Sequence, residues 1–153
     1  MRESVAAPVR EGFRGYCTNA EFGGHRIPVP VQNLVLRDYV QRRNLLFRLS
    51  INELQFPNCY LQLLGLLPQL PALEGVIMCS LFMLPKDPEV RRTIYREFLK
   101  HGTSLHFVME NIVLQTADDV AGVEEIRAIR DALPACPSAV PVDGITEGWN
   151  AVA

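Results

Sequence analysis

A chain of 153 residues, 48% apolar and 21% charged, suits one globular domain with its own core. No run of about 18 apolar residues is present, so no membrane span is expected. The net charge of −2 and a pI of about 5.9 argue against a nucleic-acid partner, because such binders are usually basic overall.

The charge is uneven along the chain. Residues 1–50 carry eight basic and four acidic side chains, whereas residues 51–153 carry seven and thirteen. The start, MRESVAAPVREGF, bears acids and no apolar segment, so a secretory signal is not expected. The cysteines, Cys17, Cys59, Cys79 and Cys136, form no CxxC pair. They point to a reduced, cytoplasmic protein without a zinc site.

Residues 1–12 read as an N-terminal extension. The first strand is expected over Phe13 to Thr18, ending in the glycine-containing loop NAEFGGHRIP. A helix follows in PVQNLVLRDYVQRR, with Pro30 in its first turn, an apolar stripe of Leu34, Val35 and Val40, and Asn44 at its close. LLFRL, Leu45 to Leu49, reads as the second strand. Pro57 opens a Leu-rich helix that Pro68 stops near Leu67. GVIMC, Gly75 to Cys79, is short, continuous and apolar, as a strand covered on both faces should be. Asp87 caps a helix with Pro88 at its first position, running to His101 before Gly102. SLHFVM, Ser104 to Met109, is the fourth strand, and Thr116 to Leu133 the last helix, acidic at its start. Residues 13–133 make one domain. The segment 134–153 is a Pro-rich tail whose Trp149 is placed to drape over the domain or a neighbour.

This β-α alternation predicts an α/β fold: a three-layer, flavodoxin-like parallel sheet of four to five strands. In such sheets ligands bind beyond the carboxyl ends of the strands. That rule selects the loops Asn19 to Pro28, Ser50 to Pro57, Ser80 to Asp87 and Glu110 to Thr116. In the first, paired glycines admit a close ligand, Arg26 offers a bidentate donor for an anion, and His25 is a candidate acid or base. Glu53, Ser80 and Asn111 are candidate hydroxyl binders with Asn19. Glu110, half-buried at the end of the fourth strand, is a candidate proton carrier, or an ion-pair partner for Arg14 or Arg26. His106 is expected to be packed in the sheet, Cys79 to be a small core group, and no histidine is placed to activate a nucleophile.

Two family resemblances are carried by particular stretches. RGYCTNA, Arg14 to Ala20, and CSLFMLPK, Cys79 to Lys86, look like the first strand and the post-strand turn of the serine recombinase (resolvase) catalytic domain. Where that family has its nucleophilic serine this chain has Ala20. Thr18 stands for an arginine, and Phe82 and Met83 for an aspartate and an arginine, so strand transfer at these positions is ruled out. A resolvase-like scaffold without its chemistry is what remains. The second resemblance is to the sporadic carbohydrate cluster family, carried by RGY, VQNLVLRDY, NCYLQL, SLFMLP and HFVMEN between residues 14 and 111. It implies a setting among carbohydrate biosynthesis proteins.

The leading expectation from these residues is an isomerase, epimerase or lyase acting on a sugar, sugar phosphate or nucleotide sugar. Glu110 and His25 would be its catalytic pair, and Asn19, Arg26, Glu53, Ser80, Asn111 and Arg14 its substrate-binding groups, with no metal and no cofactor. The alternative is a non-catalytic sugar- or partner-binding module of such a pathway. A degenerate recombinase-like DNA binder ranks last, since the pI is acidic and arginines are missing. The expected partners are therefore a carbohydrate ligand, no nucleic acid, no membrane, and a second copy of the chain meeting the last helix at Val120, Val123 and Ile126.

Overall fold

The computed structural model describes residues 9–137. Strands β1 (Phe13–Cys17), β2 (Ile51–Asn52), β3 (Gly75–Met78), β4 (Ser104–Phe107) and β5 (Ile112–Leu114) form one sheet in the order β2-β1-β3-β4-β5. The first four are parallel, and β5 runs antiparallel to β4. Helices α1 (Val29–Arg42), α2 (Leu61–Leu66), α3 (Pro88–His101) and α4 (Ala117–Ala132) complete the α/β architecture expected from the sequence.

In β1, β3 and β4, Gly15, Ile77 and His106 share a register row and hence a face. That face is covered by α1, whose inward stripe is Gln32, Leu36, Tyr39 and Val40. Gly15 permits the approach: a Cβ there would lie 2.9 Å from Leu36 and 2.8 Å from Ser50. The opposite face is reached by α2 through Tyr16 and Glu53, and α3 and α4 close that layer. No helix of the described residues is long and apolar enough to cross a membrane.

The α3 helix follows its local signals closely. Asp87 accepts from Glu89 N at 2.9 Å, Pro88 takes the first position, and Gly102 closes the end at φ 60°. Thr116 and Asp119 form a reciprocal capping box on α4.

Three expected elements differ. Leu45 to Leu49 is not the second strand; it reaches the sheet only through a bridge of Phe47 to Phe13, and β2 lies at Ile51–Asn52. Leu46 and Leu49 are exposed, so the segment lacks the two-sided cover that its apolar run suggested. The Leu-rich helix does not begin at Pro57: α2 starts at Leu61. It ends as an α-helix at Leu66, before Pro68 as expected, and the chain goes on as a 3-10 helix over Leu67–Ala72. Pro68 falls in the first turn of that segment, where a missing N–H costs little. The third difference is β5, which turns back on β4 through Asn111 at φ 53°.

Two further expectations are corrected or lie elsewhere. Val123 is buried in α4, and Val120 and Ile126 pack against the core, so they form no exposed dimer face. The tail from 138 onward, with Trp149, lies outside the described residues.

Candidate functional site

The loops after β1 and β2 flank a cleft of about 660 Å³ at the carboxyl ends of those strands. Asn19, Ala20, Glu21, Arg26, Phe56 and Asn58 are among its lining residues. The first loop is anchored by Gln32, a fully buried amide on the inward stripe of α1. Its Oε1 accepts from Thr18 N at 3.1 Å, and its Nε2 donates to the carbonyls of Thr18 and Ile27 at 2.6 and 2.7 Å. Both ends of the loop are thus pinned by one side chain, while its tip turns through Gly23 and Gly24 at φ 58° and 80°. No signal in the sequence pointed to this role, because the stripe expected at Leu34, Val35 and Val40 is not the inward one: Leu34 is exposed, and Gln32, Leu36, Tyr39 and Val40 face the sheet.

The second loop is organised by Glu53, which is 4% exposed. Its carboxylate accepts from Tyr16 OH at 3.0 Å, from Leu54 N at 3.0 Å, and from Gln62 N and Leu63 N at 3.1 and 3.2 Å. The last two are orphan donors at the start of α2, so Glu53 caps that helix from outside it. Burial, and then the neighbouring carboxylate, push the Tyr16 hydroxyl above the usual phenol range.

The expected site residues do not all converge. Asn19 and Arg26 line the cleft, and Glu53 lies buried beside it. His25 is exposed in the Phe22–His25 turn. Ser80 is 2% exposed and donates to Glu110 Oε1 at 2.6 Å, while Leu81 N donates to Oε2 at 3.1 Å. Glu110 therefore closes the turn after β3, and it pairs with neither Arg14 nor Arg26. Arg14 donates to Gln69 Oε1 at 2.6 Å and to the Leu49 carbonyl at 3.3 Å. Asn111 accepts from Arg43 at 2.9 Å on the far side of α1.

Beneath α1, His106 is 6% exposed and bonded at both ring nitrogens, Nδ1 to Tyr39 OH at 2.7 Å and Nε2 to Ser104 Oγ at 2.8 Å. A neutral ring suits this pairing, donating at one nitrogen and accepting at the other. Burial first, and the Arg43 charge second, lower its pKa from 6.5 to about 4. The unfolded chain takes up a proton near 6.5 that the folded chain refuses. Stability is therefore expected to fall as pH drops from 6.5 toward 4, by at most about 1.4 kcal/mol per pH unit from this group. Below about 4 its contribution levels off. Urea midpoints across that range check this, and a His106→Asn variant should lose this part of the slope.

Set against solved structures, the chain has a resolvase-like fold. It is similar to the N-terminal catalytic domain of TP901-1 integrase, at 14% identity and a TM-score of 0.53, over 80% of this chain and 97% of that one. It is also similar to a resolvase family site-specific recombinase from Streptococcus pneumoniae, at 8% identity and a TM-score of 0.57, over 80% and 91%. No family model and no curated protein matches the chain. These neighbours overturn the leading expectation. They are an integrase and a recombinase, so the assignment to carbohydrate biosynthesis, the sugar ligand and the exclusion of nucleic acid are withdrawn. The sugar reading had rested on short sequence stretches. The exclusion had rested on the arginines missing at Thr18 and Met83 and on whole-chain pI, which averages over a basic first third and an acidic remainder.

Proposed function

We propose that this chain is a resolvase-fold domain that holds a single strand of nucleic acid at the cleft and does not cut it. The carrying observation is one cleft with both an aromatic ring open to solvent, Phe56 at 67% exposure, and a guanidinium, Arg26. Aromatic faces stack bases of any sequence, and cations beside them hold the backbone phosphate. The Asn19 and Asn58 amides and the Glu21 carboxylate add acceptors and donors for base edges. The basic bias of residues 1–50 favours the same ligand.

Strand cutting is left out of this reading for a chemical reason. Ala20 brings a methyl group to the cleft where the resembled family has its serine. No serine or threonine among the described residues lines the cleft: Thr18 is 6% exposed with Oγ1 accepting from Ala20 N at 3.1 Å, Ser50 is bonded to Asn33, and Ser80, bonded to Glu110, is 2% exposed. Burial pushes the Cys17 and Cys79 thiols up to about 11 and about 12, well away from thiolate nucleophiles. The free cysteines suit a reduced, cytoplasmic setting, which we propose with it. Kinship with the sporadic carbohydrate cluster family is likewise proposed as a likeness of sequence, with no sugar chemistry attached.

Replacing Phe56 by alanine is expected to weaken binding of a fluorescent oligothymidylate about tenfold or more, from the loss of one stacked base. Because the ring is exposed, thermal stability should hardly move. Unchanged anisotropy titrations in Phe56→Ala sink the stacking reading.

A further inference from the structure

Two arginines are buried against α4's neighbours, and only one of them has a carboxylate. Arg91 forms a two-point pair with Glu124, Nε to Oε1 and Nη2 to Oε2, each at 2.8 Å. Arg127 is 8% exposed, donates from Nη1 to the Leu81 carbonyl at 2.8 Å, and makes no ion pair among the described residues. Its Nε has no hydrogen-bond partner there. A guanidinium so placed costs stability, and apolar groups of similar volume usually do better. Burial, and then the Arg91 charge, lower its pKa, in keeping with that cost.

One helical turn on, Arg130 donates from Nη2 to the Gly23 carbonyl at 2.6 Å. The two guanidinium carbons lie 5.7 and 5.6 Å from the Phe82 ring centroid, so one ring is shared by two cations. Gly23 belongs to the loop whose other residues line the cleft, so Arg130 reaches the same loop that carries Arg26.

We propose that Arg127 and Arg130 form a second anion site that takes another phosphate of the strand held at the cleft. This rests on the reading above. Arg130, exposed at the rim, makes first contact, and Arg127 supplies the positive field behind it.

The test compares wild type, Arg26→Ala, Arg130→Ala and Arg127→Met. Oligothymidylate binding is followed against sodium chloride, and thermal stability in phosphate against chloride at equal ionic strength. Arg130→Ala should flatten the log–log salt slope by about 0.7, the share of one phosphate contact on a single strand. Arg127→Met should keep or raise Tm yet bind several-fold more weakly, as expected of a group retained at a cost to stability. Wild-type affinity and slope in both variants, with Arg26→Ala impaired, overturn this site and leave the cleft reading standing. If wild type binds no oligonucleotide, the cleft reading falls. Stabilisation by phosphate that Arg130→Ala loses would then sustain the anion site alone, and no stabilisation would overturn it too.

Discussion

Glu53→Ala is expected to destabilise the protein by about 3 kcal/mol, which for a chain of this size lowers Tm by roughly 10 °C. The loss comes from partners left behind. The Tyr16 hydroxyl, fully buried, loses its acceptor, and the first N–H groups of α2 lose their cap. Each orphaned buried donor costs about 1–3 kcal/mol. Glu53→Gln keeps one acceptor oxygen and much the same shape, so it should cost about 1 kcal/mol. Chemical denaturation of the two variants makes the comparison. A Glu53→Ala protein as stable as wild type contradicts a capping role and frees this carboxylate for ligand.

Glu124→Ala is expected to cost about 2 kcal/mol, a figure discounted because the Glu124 side chain is 37% exposed. Its carboxylate accepts from Arg91 at two points and from Tyr95 OH at 2.7 Å. Arg91 in turn donates to the carbonyls of Pro85 and Lys86 at 2.9 and 2.7 Å. Loss of the carboxylate therefore loosens α4 from α3 and also the turn after β3. The pair holds Glu124 below the usual carboxylate range, chiefly by the Arg91 hydrogen bonds. That stability is present above the ordinary carboxylate pKa and is lost as pH falls through the lowered one. In the Glu124→Ala protein, amide exchange should quicken in α4 before it does in β3. Uniform protection equal to wild type contradicts the clamp.

How far the sequence foretold the molecule differed by the range of the interactions. The α3 helix was legible because Asp87, Pro88 and Gly102 act within one turn of its ends. β3 was legible because a continuous apolar run fits a doubly covered strand, and β4 because SLHF continues into the apolar FVM of the fourth-strand run. Leu45 to Leu49 misled for the same reason. Its composition resembles a buried strand, but its place at the sheet edge leaves Leu46 and Leu49 in solvent. Of the expected site, Asn19 and Arg26 stand in the cleft because the strand-end rule is a property of the fold. Glu53, Ser80 and Glu110 were singled out as polar groups in the right loops. What they do depended on partners nine to thirty-seven residues away, as Gln62, Ser80 and Tyr16 show. Gln32, Phe56, Arg127 and Arg130 went unremarked. On sequence alone, an amide, a loop phenylalanine and helix arginines look like ordinary surface residues. Only the tertiary structure buries the first, exposes the second, and sets the arginines around Phe82.

The most direct test of strand binding is the dissociation constant of wild type for a short oligothymidylate, measured from about 50 to 200 mM salt. The account predicts measurable binding at the low end and a falling log–log line, with a slope between about −0.7 for Arg26 alone and about −1.4 with the α4 site as well. No binding at low salt, or binding indifferent to salt, would contradict it.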